Sequence, residues 1–233
     1  MSQYRWLLFD ADGTLFDYDQ AEAAAIANTF REFDFHYRPE YARVYREING
    51  QIWRDFELGL IHQISLRTGR FVMLFKALEL DADPERFSQK YLENLSMGTY
   101  LIDGAEEVLR ILRPDFSLAI ITNGLKDVQR PRFARSPIGE YFDVLVISEE
   151  VGAAKPDPAI FDVAFELIGQ PPRKDVLMIG DSLTSDIAGG LGYGIDTCWF
   201  NPSHLEPVPD LDVQYEISDL RQLLNILHPN PPK

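Results

Sequence analysis

The chain has 233 residues, of which 45% are hydrophobic and 25% charged, close to soluble globular averages. That excludes disorder as the default and leaves room for one large domain or a core with a smaller companion. The formal net charge of −15 repels nucleic-acid backbones and anionic lipid, so neither a nucleic acid polymer nor a membrane is an expected partner. An anionic small molecule would have to be met locally, by a metal ion, a placed Lys or backbone N–H groups.

In chain order, residues 4–9 form a short apolar run that stops at Asp10. The run is too short for a signal-peptide core or a membrane span, so a soluble cytoplasmic protein is expected. Residues 16–100 hold few strand-like runs. Apolar residues there recur at helical spacing over 21–33, 40–58, 64–80 and 84–96, which predicts an all-helical insert large enough to be a small domain. Beyond it the pattern alternates. Strand-like runs at 117–121, 144–147, 176–179 and 197–200 are interleaved with helical patterns at 105–112, 158–168 and 185–191. Short runs apolar on both faces suit a buried parallel sheet, and the alternation implies βαβ units. The expected fold is α/β: a doubly wound, Rossmann-like parallel sheet formed by 1–15 and 101–233, with a helical domain at 16–100 inserted after the first strand. In such sheets ligands bind beyond the carboxyl ends of the strands. The tail from His228 to Lys233, rich in Pro, is expected to fray. The one cysteine, Cys198, can form no internal disulfide; a buried apolar role and a reducing compartment fit it.

Four polar segments follow these strands. Asp10-Ala11-Asp12-Gly13-Thr14-Leu15 places two carboxylates two residues apart on a chain leaving a strand. A divalent cation would offset the cost of burying them, and Asp oxygens suit Mg²⁺; alone, the segment reads equally as a polar turn. Thr122-Asn123-Gly124 offers a hydroxyl and backbone N–H groups for phosphate oxygens, or a helix cap. Lys155, extended by the following Pro156, can reach a phosphate or Asp10, although most lysines are solvated. Gly180-Asp181-Ser182-Leu183-Thr184-Ser185-Asp186 places one acid at a strand end and another where the next helix begins, where the macrodipole also favours a carboxylate. Joint placement carries more than any segment alone: in a parallel sheet all four share one edge. Acids, a hydroxyl and one Lys are what a metal-bound phosphoryl group needs.

These four segments, in this order from Phe9 to Asp186, resemble the motifs of the haloacid dehalogenase (HAD) superfamily, and the helical insert resembles its type 1 cap. Two further segments, 147–156 (Ile-Ser-Glu-Glu-Val-Gly-Ala-Ala-Lys-Pro) and 196–201 (Asp-Thr-Cys-Trp-Phe-Asn), are similar to the bacterial pyrimidine 5′-nucleotidase branch. The resemblance implies a phosphatase in which Asp10 attacks phosphorus and Asp12 donates and then accepts a proton. Mg²⁺ would be held by Asp10, the Asp12 carbonyl and Asp181, with Asp186 acting through water or as support. Thr122, Asn123 and Lys155 would hold the phosphoryl oxygens. The implied substrate is a small phosphomonoester, a pyrimidine nucleoside 5′-monophosphate first and a sugar phosphate or other small metabolite second. Dehalogenases of the family lack an acid two residues after the nucleophile, so Asp12 argues against that reaction. A non-catalytic binding protein of the same fold has no need for both acids.

Other candidates are weaker. Thr184 takes the place of the last glycine in a Gly-x-Ser-x-Gly elbow around Ser182, and nothing orders His204 as its base. The glycines from Gly189 to Gly194 fail dinucleotide-loop spacing and read as a helix end. His36, His62, His204 and His228 lack metal-ligand spacing. Trp53 and Phe56 would suit base stacking but are read as helical core.

Overall fold

A computed structural model describes residues 3–57, 59–208 and 211–228. Its strands are β1 (Trp6–Phe9), β2 (Ser117–Thr122), β3 (Val144–Ile147), β4 (Val176–Gly180), β5 (Asp196–Phe200) and β6 (Tyr215–Ile217). The helices are α1 (Tyr18–Glu32), α2 (Pro39–Glu57), α3 (Gln63–Leu78), α4 (Pro84–Ser96), α5 (Ala105–Leu112), α6 (Lys126–Arg135), α7 (Ser148–Val151), α8 (Pro158–Leu167), α9 (Ala188–Tyr193) and α10 (Gln222–Leu227).

The strands form one sheet in the order β3-β2-β1-β4-β5-β6, every pair parallel. The chain runs outward from β1 to β3, returns to the centre at β4, and runs outward on the other side. The order therefore reverses between β1 and β4, the switch point where a doubly wound sheet opens a crevice. Strand residues alternate between two cores, as the period of two requires. Leu7, Phe9, Leu118, Ile120, Leu177 and Ile179 pack on one face with Val108 and Leu112 of α5 and Leu223 and Leu227 of α10. Leu8, Ala119, Ile121, Val146 and Met178 pack on the other face with Ile160, Phe161 and Phe165 of α8. Asp157 starts α8 by accepting the Ala159 N–H at 2.9 Å, with Pro158 in the first turn, a position that lacks no needed donor.

The second unit is helical. Its core is aromatic: the Phe87 ring lies 4.9–5.4 Å, centroid to centroid, from Phe30, Phe33, Phe71 and Phe75. A network of polar side chains crosses this core. Glu22 accepts from Asn49 at 2.9 Å and from Arg46 at 3.2 Å, and Asn49 accepts from Arg70 at 2.9 Å. The Arg70 guanidinium lies over Phe71 and Tyr91, so its charge meets ring faces as well as an acceptor. Burial raises the Glu22 carboxyl above its ordinary value, with Arg46 and Asn49 acting against the rise.

Two compact units divide the chain at Tyr18/Asp19 and Thr99/Tyr100, and residues 127–132 group with the helical unit. Residues 16–18 stay with the sheet because Phe16 bridges Leu101 and Asp17 N–H donates to the Tyr100 carbonyl at 2.9 Å. Residues 127–132 join the helices because Asp127 pairs with Arg67 at 2.8 Å and the buried Arg132 donates to the Leu95 carbonyl at 3.3 Å.

Further differences from the sequence reading are local. The helix expected over 185–191 is a π-helical turn at Leu183–Ile187 that runs into α9. Gly189 and Gly190 lie inside α9, where a Cβ would come within 2.8 Å of the Phe161 ring or 2.7 Å of Thr197. They serve close helix packing, and only Gly194 ends the helix, with φ 81°. Within the tail, residues 229–233 lie outside the described residues. No described helix is long and apolar enough to cross a membrane.

The helical core yields a direct test. Phe87→Ala removes a fully buried ring and should cost about 3–5 kcal/mol, read by chemical denaturation; a loss below about 1 kcal/mol would mean that the aromatic cluster is not what holds this unit together.

Candidate active site

Asp10 is the first residue past β1. Its N–H donates to the Ile179 carbonyl at 2.9 Å, which continues the ladder toward β4 by one residue and fixes the backbone at the switch point. The chain then folds back tightly, with Leu15 and Phe16 N–H both donating to the Ala11 carbonyl. Gly13 takes φ +89°, and a Cβ there would lie 2.6 Å from Asp181 Oδ2. Only glycine meets both demands. The turn brings the Thr14 hydroxyl to Asp181 Oδ1 at 3.2 Å.

β2 ends at the buried Thr122. In the loop that follows, Ser148 Oγ accepts the Gly124 N–H at 3.1 Å, and Glu149 accepts the Lys126 N–H at 2.8 Å. β4 ends at Gly180, where an added Cβ would sit 2.3 Å from Asp186 Cγ. That absence of a side chain lets the Asp186 carboxylate fold back against the strand end, where Oδ2 accepts the Ser182 N–H at 3.0 Å.

Lys155 joins these pieces. It is 1% exposed, and its ammonium donates to Asp10 Oδ1, Asp186 Oδ1 and the Ile121 carbonyl, each at 2.6 Å. All three of its protons are used, on three separate segments. Carboxylate oxygens of Asp10, Asp181 and Asp186 lie within 4.8 Å of one another. Three acids, two of them buried and Asp181 half-buried, against one ammonium leave an excess of negative charge. Burial pushes the Asp10 carboxyl well above its ordinary range; Lys155 pulls it back, while Asp186 and Asp181 add to the rise. Burial likewise raises Asp181 to about 7, with Asp186 adding to it. For Lys155, burial alone would lower the ammonium, but Asp10 and Asp186 outweigh it and hold it above its usual value.

Of the residues singled out from sequence, Asp10, Lys155, Asp181 and Asp186 converge. The Asp186 carboxylate lies in one group with those of Asp10 and Asp181. Asp12 is half-buried on the Asp10 turn and is not one of the three converging carboxylates. The Asn123 side chain pairs with the backbone of Lys155. Its Nδ2 donates to the Lys155 carbonyl at 2.8 Å and its Oδ1 accepts the Lys155 N–H at 2.7 Å. This reciprocal pair holds the Lys155 backbone, so Asn123 acts through Lys155. Thr14 and Ser148 were missed by the sequence reading; Thr14 sits inside the Asp10 segment, but only the three-dimensional turn shows whom it serves.

Parallel strands in this order, with acids and a buried Lys at the switch point, define a class, and comparison with known proteins agrees. Residues 4–194 match the haloacid dehalogenase-like hydrolase family. YfnB of Bacillus subtilis is 38% identical over 98% of this chain and 97% of its own. Its crystal structure with bound magnesium, which reveals interdomain movement, superposes with TM-score 0.91 over 96% of this chain and 98% of that one. The pyrimidine 5′-nucleotidases YjjG of Escherichia coli and PynA of Streptococcus pneumoniae are each 35% identical, covering 97% of this chain and 98% and 96% of theirs. The chain belongs to the haloacid dehalogenase-like hydrolases and is an enzyme of that family.

Lys155→Met keeps the length of the side chain but leaves two buried carboxylates facing each other. Breaking a buried pair in this way should destabilise the protein by about 3–5 kcal/mol, measured by urea denaturation in metal-free buffer; an unchanged midpoint would show that the ammonium does not hold the strand ends together.

Proposed function

We propose that this enzyme is a magnesium-dependent phosphomonoester hydrolase that works through an aspartyl-phosphate on Asp10 and takes pyrimidine nucleoside 5′-monophosphates. The observation that carries the reaction is the convergence of Asp10, Asp181 and Asp186 around one buried ammonium. The donor set is all oxygen, which fits Mg²⁺, and the uncompensated negative charge is what a divalent cation would offset. Asp10, the Asp12 carbonyl and Asp181 would hold the ion, with Asp186 in support. When bound, it supplies positive charge to the phosphoryl oxygens.

The chain's own residues do the rest. A carboxylate oxygen of Asp10 attacks phosphorus, and the bond from phosphorus to the leaving oxygen breaks. Asp12 gives that oxygen its proton, then takes a proton from the water that attacks the aspartyl-phosphate. Inorganic phosphate departs and Asp10 is regenerated. Lys155 balances charge on the phosphoryl oxygens, Thr122 and Asn123 help to hold them, and the Asn123 side chain also keeps Lys155 in place. The helical unit serves as the cap that selects the substrate and excludes water.

The substrate reading rests on the two pyrimidine 5′-nucleotidases at 35% identity over nearly the full chain. Asp12 favours phosphate-ester cleavage over dehalogenation, because a leaving alkoxide needs a proton donor and a halide does not. We place the reaction in the cytoplasm, where the buried Cys198 thiol, pushed up to about 12 by burial, stays reduced and inert.

A phosphate-release screen with Mg²⁺ across nucleoside monophosphates and sugar phosphates tests both levels. Pyrimidine monophosphates should be preferred, and Asp10→Asn should lose turnover while keeping its fold by circular dichroism. Preference for a sugar phosphate would retain the reaction and discard the substrate. Near-parental activity in Asp10→Asn would remove Asp10 as nucleophile, and no turnover of any phosphomonoester by folded protein would make it a binder. EDTA should stop the reaction and added Mg²⁺ restore it; full rates in EDTA would exclude the metal.

A further inference from the structure

Asp181 is the first residue past β4, so its carbonyl lies just outside the parallel ladder. The ladder pairs Gly180 with Trp199 of β5, and it is the side chain of this same Trp199 that takes over beyond it. Trp199 Nε1–H donates to the Asp181 carbonyl at 2.9 Å. The indole is 1% exposed and among the largest fully buried side chains. An indole has one donor and no acceptor, and a buried donor and a buried carbonyl each cost free energy when unmet. The bond therefore fixes the indole plane and the peptide of Asp181 together. At its other end, the Asp181 carboxylate accepts from Thr14. The residue is thus held by its backbone from β5 and by its side chain from the Asp10 turn.

We propose that Trp199 is a positioning residue for magnesium: by clamping the Asp181 peptide it aims the Asp181 carboxylate at the ion. The inference rests on Asp181 being a magnesium ligand, as argued under the proposed function. Groups that hold metal ligands from behind typically govern affinity by about 10–100-fold. A residue of this kind acts on binding of the ion more than on the chemical step.

The test is isothermal calorimetry of Mg²⁺ on the intact protein, on Trp199→Phe, on Asp181→Asn and on Cys198→Ala, which thins the same strand one residue away. Trp199→Phe should raise the magnesium Kd about 10-fold or more, while kcat at saturating magnesium stays near the parental value; Cys198→Ala should leave the Kd alone even if it lowers the melting temperature. A parental Kd in Trp199→Phe, with binding lost in Asp181→Asn, would overturn the role of Trp199 and spare that of Asp181. A parental Kd in Asp181→Asn, or no binding by the parent protein, would overturn both. If Trp199→Phe does not fold, the protein carrying Trp6→Phe and Trp53→Phe leaves Trp199 as the one indole. Its emission should change with Mg²⁺ along the calorimetric curve, and not at all when Asp181→Asn is added. An emission insensitive to saturating magnesium would overturn the proposal.

Discussion

The active edge depends on the burial of one positive charge. The Lys155 ammonium gives its three protons to the carboxyl ends of three neighbouring strands: the residue after β1, the end of β2, and the helix start after β4. An isolated ammonium at that depth would be prohibitively costly, and so would the carboxylates. Each makes the other tolerable, but the balance is incomplete, because the acids outnumber the ammonium. Burial raises Asp10 and Asp181, and the neighbouring acids add to the rise; this excess of negative charge is what the proposed magnesium ion would offset.

Small residues make the approach of these groups possible. Gly13 and Gly180 each stand where a Cβ would occupy the space of a carboxylate, Asp181 in one case and Asp186 in the other. The acids therefore lie flat against strand ends instead of projecting into solvent. Around them a ring of neutral hydrogen bonds, from Thr14, Ser148 and Asn123, orients the parts without adding charge. This separates two tasks. Charge balance falls to a few buried ionised groups, and geometry falls to amides and hydroxyls.

Much of this was legible in the amino-acid sequence. Strands apolar on both faces stood out because a parallel sheet buries both, and residues 144–147 and 105–112 coincide with β3 and α5. Asp10, Lys155, Asp181 and Asp186 were legible because each follows such a run. What was not legible lacked an apolar signature. β6 is a three-residue edge strand carrying the exposed Glu216, and α6 is a charged helix with Pro131 inside it. The resemblance implies a phosphate role for Asn123 and says nothing of its side-chain amide. That this amide mimics a strand pairing with Lys155 depends on a contact 32 residues away, which no local pattern encodes.

The grouping of residues 127–132 with the helices also bears on how this family can be recombined. The chain passes between its two units at Tyr18/Asp19, Thr99/Tyr100, Lys126/Asp127 and Arg132/Phe133. The helical unit is thus not one continuous cassette. A transplant of 19–99 alone into a related sheet would leave behind the partner of Arg67 and the guanidinium that donates to the Leu95 carbonyl beside the Gly98 N–H. In recombination, natural or designed, a short piece of α6 has to travel with the insert, or the recipient must already carry side chains that make the same two contacts.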